Sequence, residues 1–82
     1  MGRIDGRACV VTGAGSGIGR ASAVRLADEG GRVLAVDLAP GPLAGTVEEI
    51  TGAGGEAVAH VTDVSDPRQV DAMVAECVER FG

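Results

Sequence analysis

The stretch TGAGSGIGR, Thr12 to Arg20, sets glycine at every second position from Gly13 to Gly19, between an apolar run and a helix-like run. Glycine loses the most backbone freedom on folding, so its concentration here implies an unusual turn or a close approach. A phosphate-binding turn has both needs. Its backbone N–H groups must face the anion, with no Cβ in the way, at the positive end of a helix. On this reading Gly13 permits the sharp turn out of the strand, Gly17 lets a pyrophosphate lie on the backbone, and Gly19 allows close helix–strand packing. The alternative is a glycine-rich turn with no ligand.

The spacing discriminates between phosphate motifs. G-x-G-x-x-G fails in every register, since Gly13 and Gly15 would require glycine at Ile18, and Gly15 and Gly17 at Arg20. The P-loop pattern requires a lysine, and the chain contains none. T-G-x-x-x-G-x-G fits, on Thr12, Gly13, Gly17 and Gly19. Two carboxylates follow at the ends of later apolar runs, Asp37 closing RVLAVD and Asp63 in TDVSDP.

These groups need elements to carry them. ACVV, Ala8 to Val11, reads as a strand buried on both faces. Ile18, Ala21, Val24 and Ala27 form a drifting helical stripe over residues 17–28, and Gly30-Gly31 stops that helix. Arg32 to Asp37 is a second buried strand, and APGP, Ala39 to Pro42, reads as a loop. Leu43, Val47 and Ile50 mark a second helix, and EAVAHV, Glu56 to Val61, a third strand. Ser65 or Asp66 is placed to cap the last helix, with Pro67 in its first turn and Gln69 completing a capping-box-like pattern. Val70, Met73, Val74, Cys77, Val78 and Phe81 give that helix the clearest apolar stripe, and Gly82 is expected to end it. The order is βαβαβα. Such alternation implies an α/β fold with a parallel sheet and right-handed crossovers.

Composition bounds what such a unit can do. Its 82 residues make one small domain at most, or part of a larger one. Seven arginines against twelve acids leave a net charge of −5, which argues against nucleic acid or an anionic membrane surface as partner. No apolar run approaches the roughly 18 residues of a membrane span. The start MGRIDGR is charged, with no signal-peptide core after it, and a reduced cytoplasmic setting is expected. Cys9 and Cys77 form no metal-spacing or redox motif and read as inert buried thiols. The single histidine, His60, reads as a packing or surface residue, and Arg20 as a solvated helix position. No metal ligand set is expected.

At this point the sequence resembles a family, the short-chain dehydrogenases/reductases. The resemblance lies in GRACVVTGAGSGIGRA (Gly6 to Ala21), in Asp37 at the end of the second strand, and in Asp63-Val64 after the third. It implies a Rossmann-type doubly wound parallel sheet, here as a partial unit with strand order 3-2-1. It further implies that residues 1–82 match the amino-terminal, dinucleotide-binding third of a typical member. The turn residues Gly13, Gly15, Ser16, Gly17, Ile18 and Gly19 would then hold cofactor, together with Asp37, Leu38, Asp63 and Val64. Asp37 would accept hydrogen bonds from the adenosine ribose and repel the extra phosphate of NADP, favouring NAD. NADP-preferring relatives often carry a basic residue where this chain has Ser16 or Leu38. Asp63 would bond the adenine amino group and Val64 flank the ring. A solvated strand-end carboxylate remains open for Asp37, and a turn or cap for Asp63.

Family members move hydride between nicotinamide and an alcohol or carbonyl substrate with a Tyr-x-x-x-Lys pair, a Ser and an Asn, the Tyr acting as general acid/base. Tyr, Lys and Asn are missing from these 82 residues altogether, so no catalytic residue is assigned and the chain alone is expected to be inactive. Three readings follow: the cofactor-binding part of a dehydrogenase, a nucleotide-binding module without chemistry, and another Rossmann class such as a methyltransferase. The T-G-x-x-x-G-x-G spacing argues against the third. A sheet missing its further strands and helices would also leave an apolar face, so self-association is expected.

Overall fold

The computed structural model describes residues 4–81; residues 1–3 and Gly82, the expected helix terminator, lie outside them. Six elements alternate: β1 (Ala8–Thr12), α1 (Gly17–Asp28), β2 (Arg32–Asp37), α2 (Pro40–Gly52), β3 (Glu56–Val61) and α3 (Pro67–Phe81). β1 pairs with β2 and β2 with β3, both parallel, so β2 is central in the order β1-β2-β3. The strands run level: Val10, Leu34 and Val58 stand side by side.

Alternation along the strands then sorts the core. Val11, Val33 and Ala35 pack with Ala23 and Ala27 of α1 and with Leu43 and Ile50 of α2. Leu34 and Val36 turn the other way, onto Met73 and Phe81 of α3. Two helices therefore share one face, and α3 has the other. β2 meets the expectation of a strand buried on both sides, with Val33 to Val36 all fully buried. The last turn of α3 is tied to the start of β2 by Arg32, which donates to the Phe81 carbonyl and lies 5.1 Å over its ring.

Four expectations need correction. β1 is not buried on both faces: Val11 is 8% exposed but Val10 is 42% exposed, because β1 is an edge strand and one helix alone covers its second face. The stripe expected on α1 is also displaced. Ile18 is 86% exposed and Ala21 is exposed, whereas Ala23 and Ala27 are buried. The packed face of α1 is built of small residues, which let the helix axis approach the sheet. Pro40 and Pro42 belong to α2 and not to a loop. Proline suits a first helical turn, where its missing N–H would have had no partner. On α3 the apolar stripe splits, with Met73 and Phe81 buried while Val74 and Val78 face solvent.

The start of α3 differs in detail from a capping box. The Asp66 carboxylate accepts from the Arg68 N–H at 3.0 Å, as a cap does. Gln69, however, reaches past the cap and accepts from the Asp63 N–H at 2.7 Å.

Candidate functional site

The candidate cofactor-binding residues all emerge at the carboxyl ends of the three parallel strands: the glycine turn after β1, Asp37-Leu38 at the end of β2, Asp63-Val64 after β3. In open parallel sheets this end, where loops meet helix N-termini, is where ligands bind.

The four glycines differ in why they are glycine. Gly13 (φ +65) and Gly17 (φ +58) have left-handed backbone conformations that side chains disfavour. A Cβ on Gly17 would meet no heavy atom within 4 Å, so the space before it is open. Gly19 answers to packing instead. A Cβ there would lie 2.0 Å from the Gly13 carbonyl oxygen and 3.1 Å from that of Thr12, so the first turn of α1 rests directly on the strand exit. Gly15 is also a steric glycine, with Asp37 Oδ2 at 2.8 Å and Pro42 Cβ at 3.1 Å from its missing Cβ.

The turn is locked from beneath. Ala14 is fully buried and donates its N–H to the Val36 carbonyl at 3.0 Å. Its own carbonyl accepts from the Thr46 hydroxyl of α2 at 2.8 Å. Thr46 is fully buried and was not singled out from the sequence. The available signal was a hydroxyl within the Leu43, Val47, Ile50 stripe, where a buried polar group requires a partner.

Above it, the N-terminus of α1 is unneutralised. Ser16 is the N-cap but makes no side-chain cap hydrogen bond, and no acid lies in the first turn. The first-turn amides have no intrahelical acceptor and carry the positive end of the helix dipole. Arg20 does not add to this field freely. It pairs with Glu49 of α2 at 2.7 Å, both partly solvent-exposed.

Asp37 is held on both oxygens. Its Oδ2 accepts from the Gly15 N–H at 2.9 Å and its Oδ1 from the Leu38 N–H at 2.7 Å. The main chain beside it is fixed too, since the Thr62 N–H donates to the Asp37 carbonyl at 2.9 Å. Asp63 Oδ1 accepts from the Ser65 hydroxyl at 2.6 Å and from the Ser65 N–H at 2.9 Å. These bonds, the hydroxyl's first, hold the Asp63 carboxyl below the usual carboxylate range. Ile18 on α1, and Leu38, Val61 and Val64 at or just past the ends of β2 and β3, are exposed apolar side chains.

The remaining candidates are structural. His60 Nε2 lies 3.2 Å from Glu76 Oε1, linking β3 to α3, and its Nδ1 contacts the Thr62 hydroxyl. Cys9 and Cys77 are free thiols of intermediate burial, each packed against one of the two core clusters. Among the described residues, no group of His, Cys, Asp and Glu could hold a metal ion, and no helix is long and apolar enough to cross a membrane.

Residues 7–82 match the family model described as short chain dehydrogenase. Levodione reductase of Leifsonia aquatica is 43% identical over 82 residues, covering 98% of this chain and 31% of the reductase. A short chain dehydrogenase/reductase from Burkholderia phymatum, solved in complex with NAD, superposes with a TM-score of 0.94. It is 43% identical, with all of this chain and 29% of that one covered. A metagenomic short-chain oxidoreductase in complex with NADP gives a TM-score of 0.91 at 35% identity, covering 96% of this chain and 36% of that one. The chain spans about a third of the length of the curated relatives it matches.

Proposed function

Because the chain belongs to the short-chain dehydrogenase family, we propose that its 82 residues form the dinucleotide-binding part of an oxidoreductase and take NAD in preference to NADP. The observation that carries this reading is Asp37, a carboxylate fixed by two backbone N–H groups beside the open N-terminus of α1. A negative charge held there accepts hydrogen bonds from ribose hydroxyls and repels the extra phosphate of NADP. Ser16 and Leu38 offer no cation to offset that repulsion.

The fit to a dinucleotide rests on three features of the turn. The space before Gly17 is open, the first-turn amides of α1 lack intrahelical acceptors, and no acid lies in that turn. Gly13, Ser16, Gly17, Ile18 and Gly19 would line the pyrophosphate, and Leu38 and Val64 the adenosine. Asp63 Oδ2 would take the adenine amino group, its Oδ1 being occupied by Ser65. When bound, the nicotinamide cofactor supplies the hydride chemistry, with an alcohol or carbonyl compound as substrate. The chain's own residues bind and orient. With no Tyr, Lys or Asn among them, these 82 residues hold no proton for the reaction; the second reading is a nucleotide-binding module without chemistry.

The test is a paired titration of the 82-residue chain with NAD and NADP, followed by amide chemical shifts. Half a site predicts weak binding, on the order of millimolar, with NAD the tighter. Asp37→Ala is expected to narrow the difference. Equal affinities in the unsubstituted chain would remove Asp37 from its assigned role. A panel of alcohols with NAD is expected to give no change in nicotinamide absorbance.

A further inference from the structure

Asp37 does not hold its own position. We propose that Gly15 is a positioning residue for cofactor choice: its N–H and its missing side chain together set the Asp37 carboxylate. The inference rests on the reading of Asp37 as the residue that separates NAD from NADP.

Three observations lead to it. Gly15 lies outside the left-handed region, so backbone conformation does not demand glycine there, in contrast to Gly13 and Gly17. Space does. A Cβ at Gly15 would fall 2.8 Å from Asp37 Oδ2, 3.1 Å from Pro42 Cβ and 3.3 Å from the Leu43 nitrogen. Of these three neighbours only the carboxylate is the free end of a rotatable side chain; the other two belong to the first turn of α2. A methyl group at this position therefore displaces the carboxylate.

The Gly15 N–H is the second half of the device. It donates to Asp37 Oδ2 at 2.9 Å across a sequence separation of 22 residues, from the turn after β1 to the end of β2. With the Leu38 N–H on Oδ1 at 2.7 Å, each oxygen has one backbone donor. A carboxylate has about four acceptor sites, so about two remain for ribose hydroxyls, at a geometry the protein has already set. The Gly15 N–H is thereby committed to Asp37 rather than to phosphate. The turn thus divides its labour. Gly17 and the amides that follow face the open space, while Gly15 serves the carboxylate that judges what enters it.

Gly15→Ala tests this in combination with Asp37→Ala, with NAD and NADP affinities measured for all four proteins. Gly15→Ala is expected to lower the NAD-to-NADP affinity ratio by about fivefold, the scale of one hydrogen bond, chiefly by weakening NAD. In the Asp37→Ala background it is expected to leave the ratio unchanged. A reduced ratio in both backgrounds, or an unchanged ratio for Gly15→Ala where Asp37→Ala lowers it, overturns the proposal. An Asp37→Ala ratio equal to that of the unsubstituted chain instead overturns the reading on which it rests. Should Gly15→Ala fail to fold, the Gly15 amide resonance decides in the cofactor-free chain. It is expected to shift upfield on Asp37→Ala as its hydrogen bond is lost, and a resonance that does not move overturns the link.

Discussion

The two faces of the sheet are built from the same kinds of residue and reach different degrees of closure. On one, α1 and α2 lie side by side over Val11, Val33 and Ala35, and the core there is continuous from Ala23 to Ile50. On the other, α3 buries Leu34 and Val36 but leaves Val10 at 42%, Val74 at 49% and Val78 at 63% exposure. A helix is roughly 10 Å across, while three strands spaced by about 4.8 Å are wider than that. One helix can therefore close the centre of such a face and not its margins. The closed face is the one that sets the glycine turn, through Thr46 and the steric glycines Gly15 and Gly19. The glycine turn is thus fixed from the closed side, while the open side packs at β2 and at Val58 of β3 and, through Gln69, holds the Asp63 N–H.

The sharpest way to break this comparison is on the closed side. Gly19→Ala drives a Cβ into the Gly13 carbonyl, a contact between backbone groups that no rotamer relieves. We predict a loss of about 3 kcal/mol or more, enough to abolish a cooperative melt in a domain this small. A melt like that of the unsubstituted chain by circular dichroism would show that α1 can lift off the turn at little cost.

A matched pair of truncations comes next. Leu43→Ala, on α2 against the closed face, is predicted to lose about 2–5 kcal/mol in urea unfolding. Val78→Ala, on the ridge of α3, is predicted to lose no more than about 0.5 kcal/mol. Comparable losses would mean that α3 is covered in solution.

The third experiment asks what the open side does with its surface. The outer edge of β1 has no strand partner among the described residues, and Val10, Val74 and Val78 lie exposed on the face beside it. Concentration-dependent light scattering is predicted for the 82-residue chain, reduced in a Val74→Ser, Val78→Ser double variant. Scattering that is flat with concentration in the unsubstituted chain counts against self-association.

The smallest effect concerns pH. Ser65 lowers the Asp63 pKa in the folded chain, so the stability Asp63 confers is present above its unfolded pKa and is lost as pH falls through the folded one. Ser65→Ala is predicted to lower the unfolding midpoint slightly at neutral pH, with the two curves converging in acid. A constant offset across that range would assign the effect to something other than this carboxylate.

The order of the elements and most of their limits, the start of α2 at Pro40 excepted, were legible in the sequence because they depend on local chemistry: β-branched runs, glycine stops, and a Pro–Gln signal at the head of α3. T-G-x-x-x-G-x-G was legible for the same reason, since the spacing of Gly13, Gly17 and Gly19 is a property of a single turn. The sidedness of burial was not. Val10 and Val11, or Val74 and Cys77, are equivalent as apolar residues in a pattern, and only the packing of helices against strands separates covered from open. Likewise Ile18 belongs to a plausible stripe on α1 until the sheet shows that α1 packs through Ala23 and Ala27. The partners of the turn lie still further from sequence. Thr46 meets Ala14 at a separation of 32 residues, and Asp37 meets the Gly15 N–H at 22. Such contacts depend on crossover geometry, where two elements return to the same end of a parallel sheet, and no local period encodes that. By itself the sequence determined which residues stand at the strand ends; the tertiary structure alone decided which of them hold one another in place, because a hydrogen bond between separate loops forms only where the packed sheet and helices bring those loops within reach.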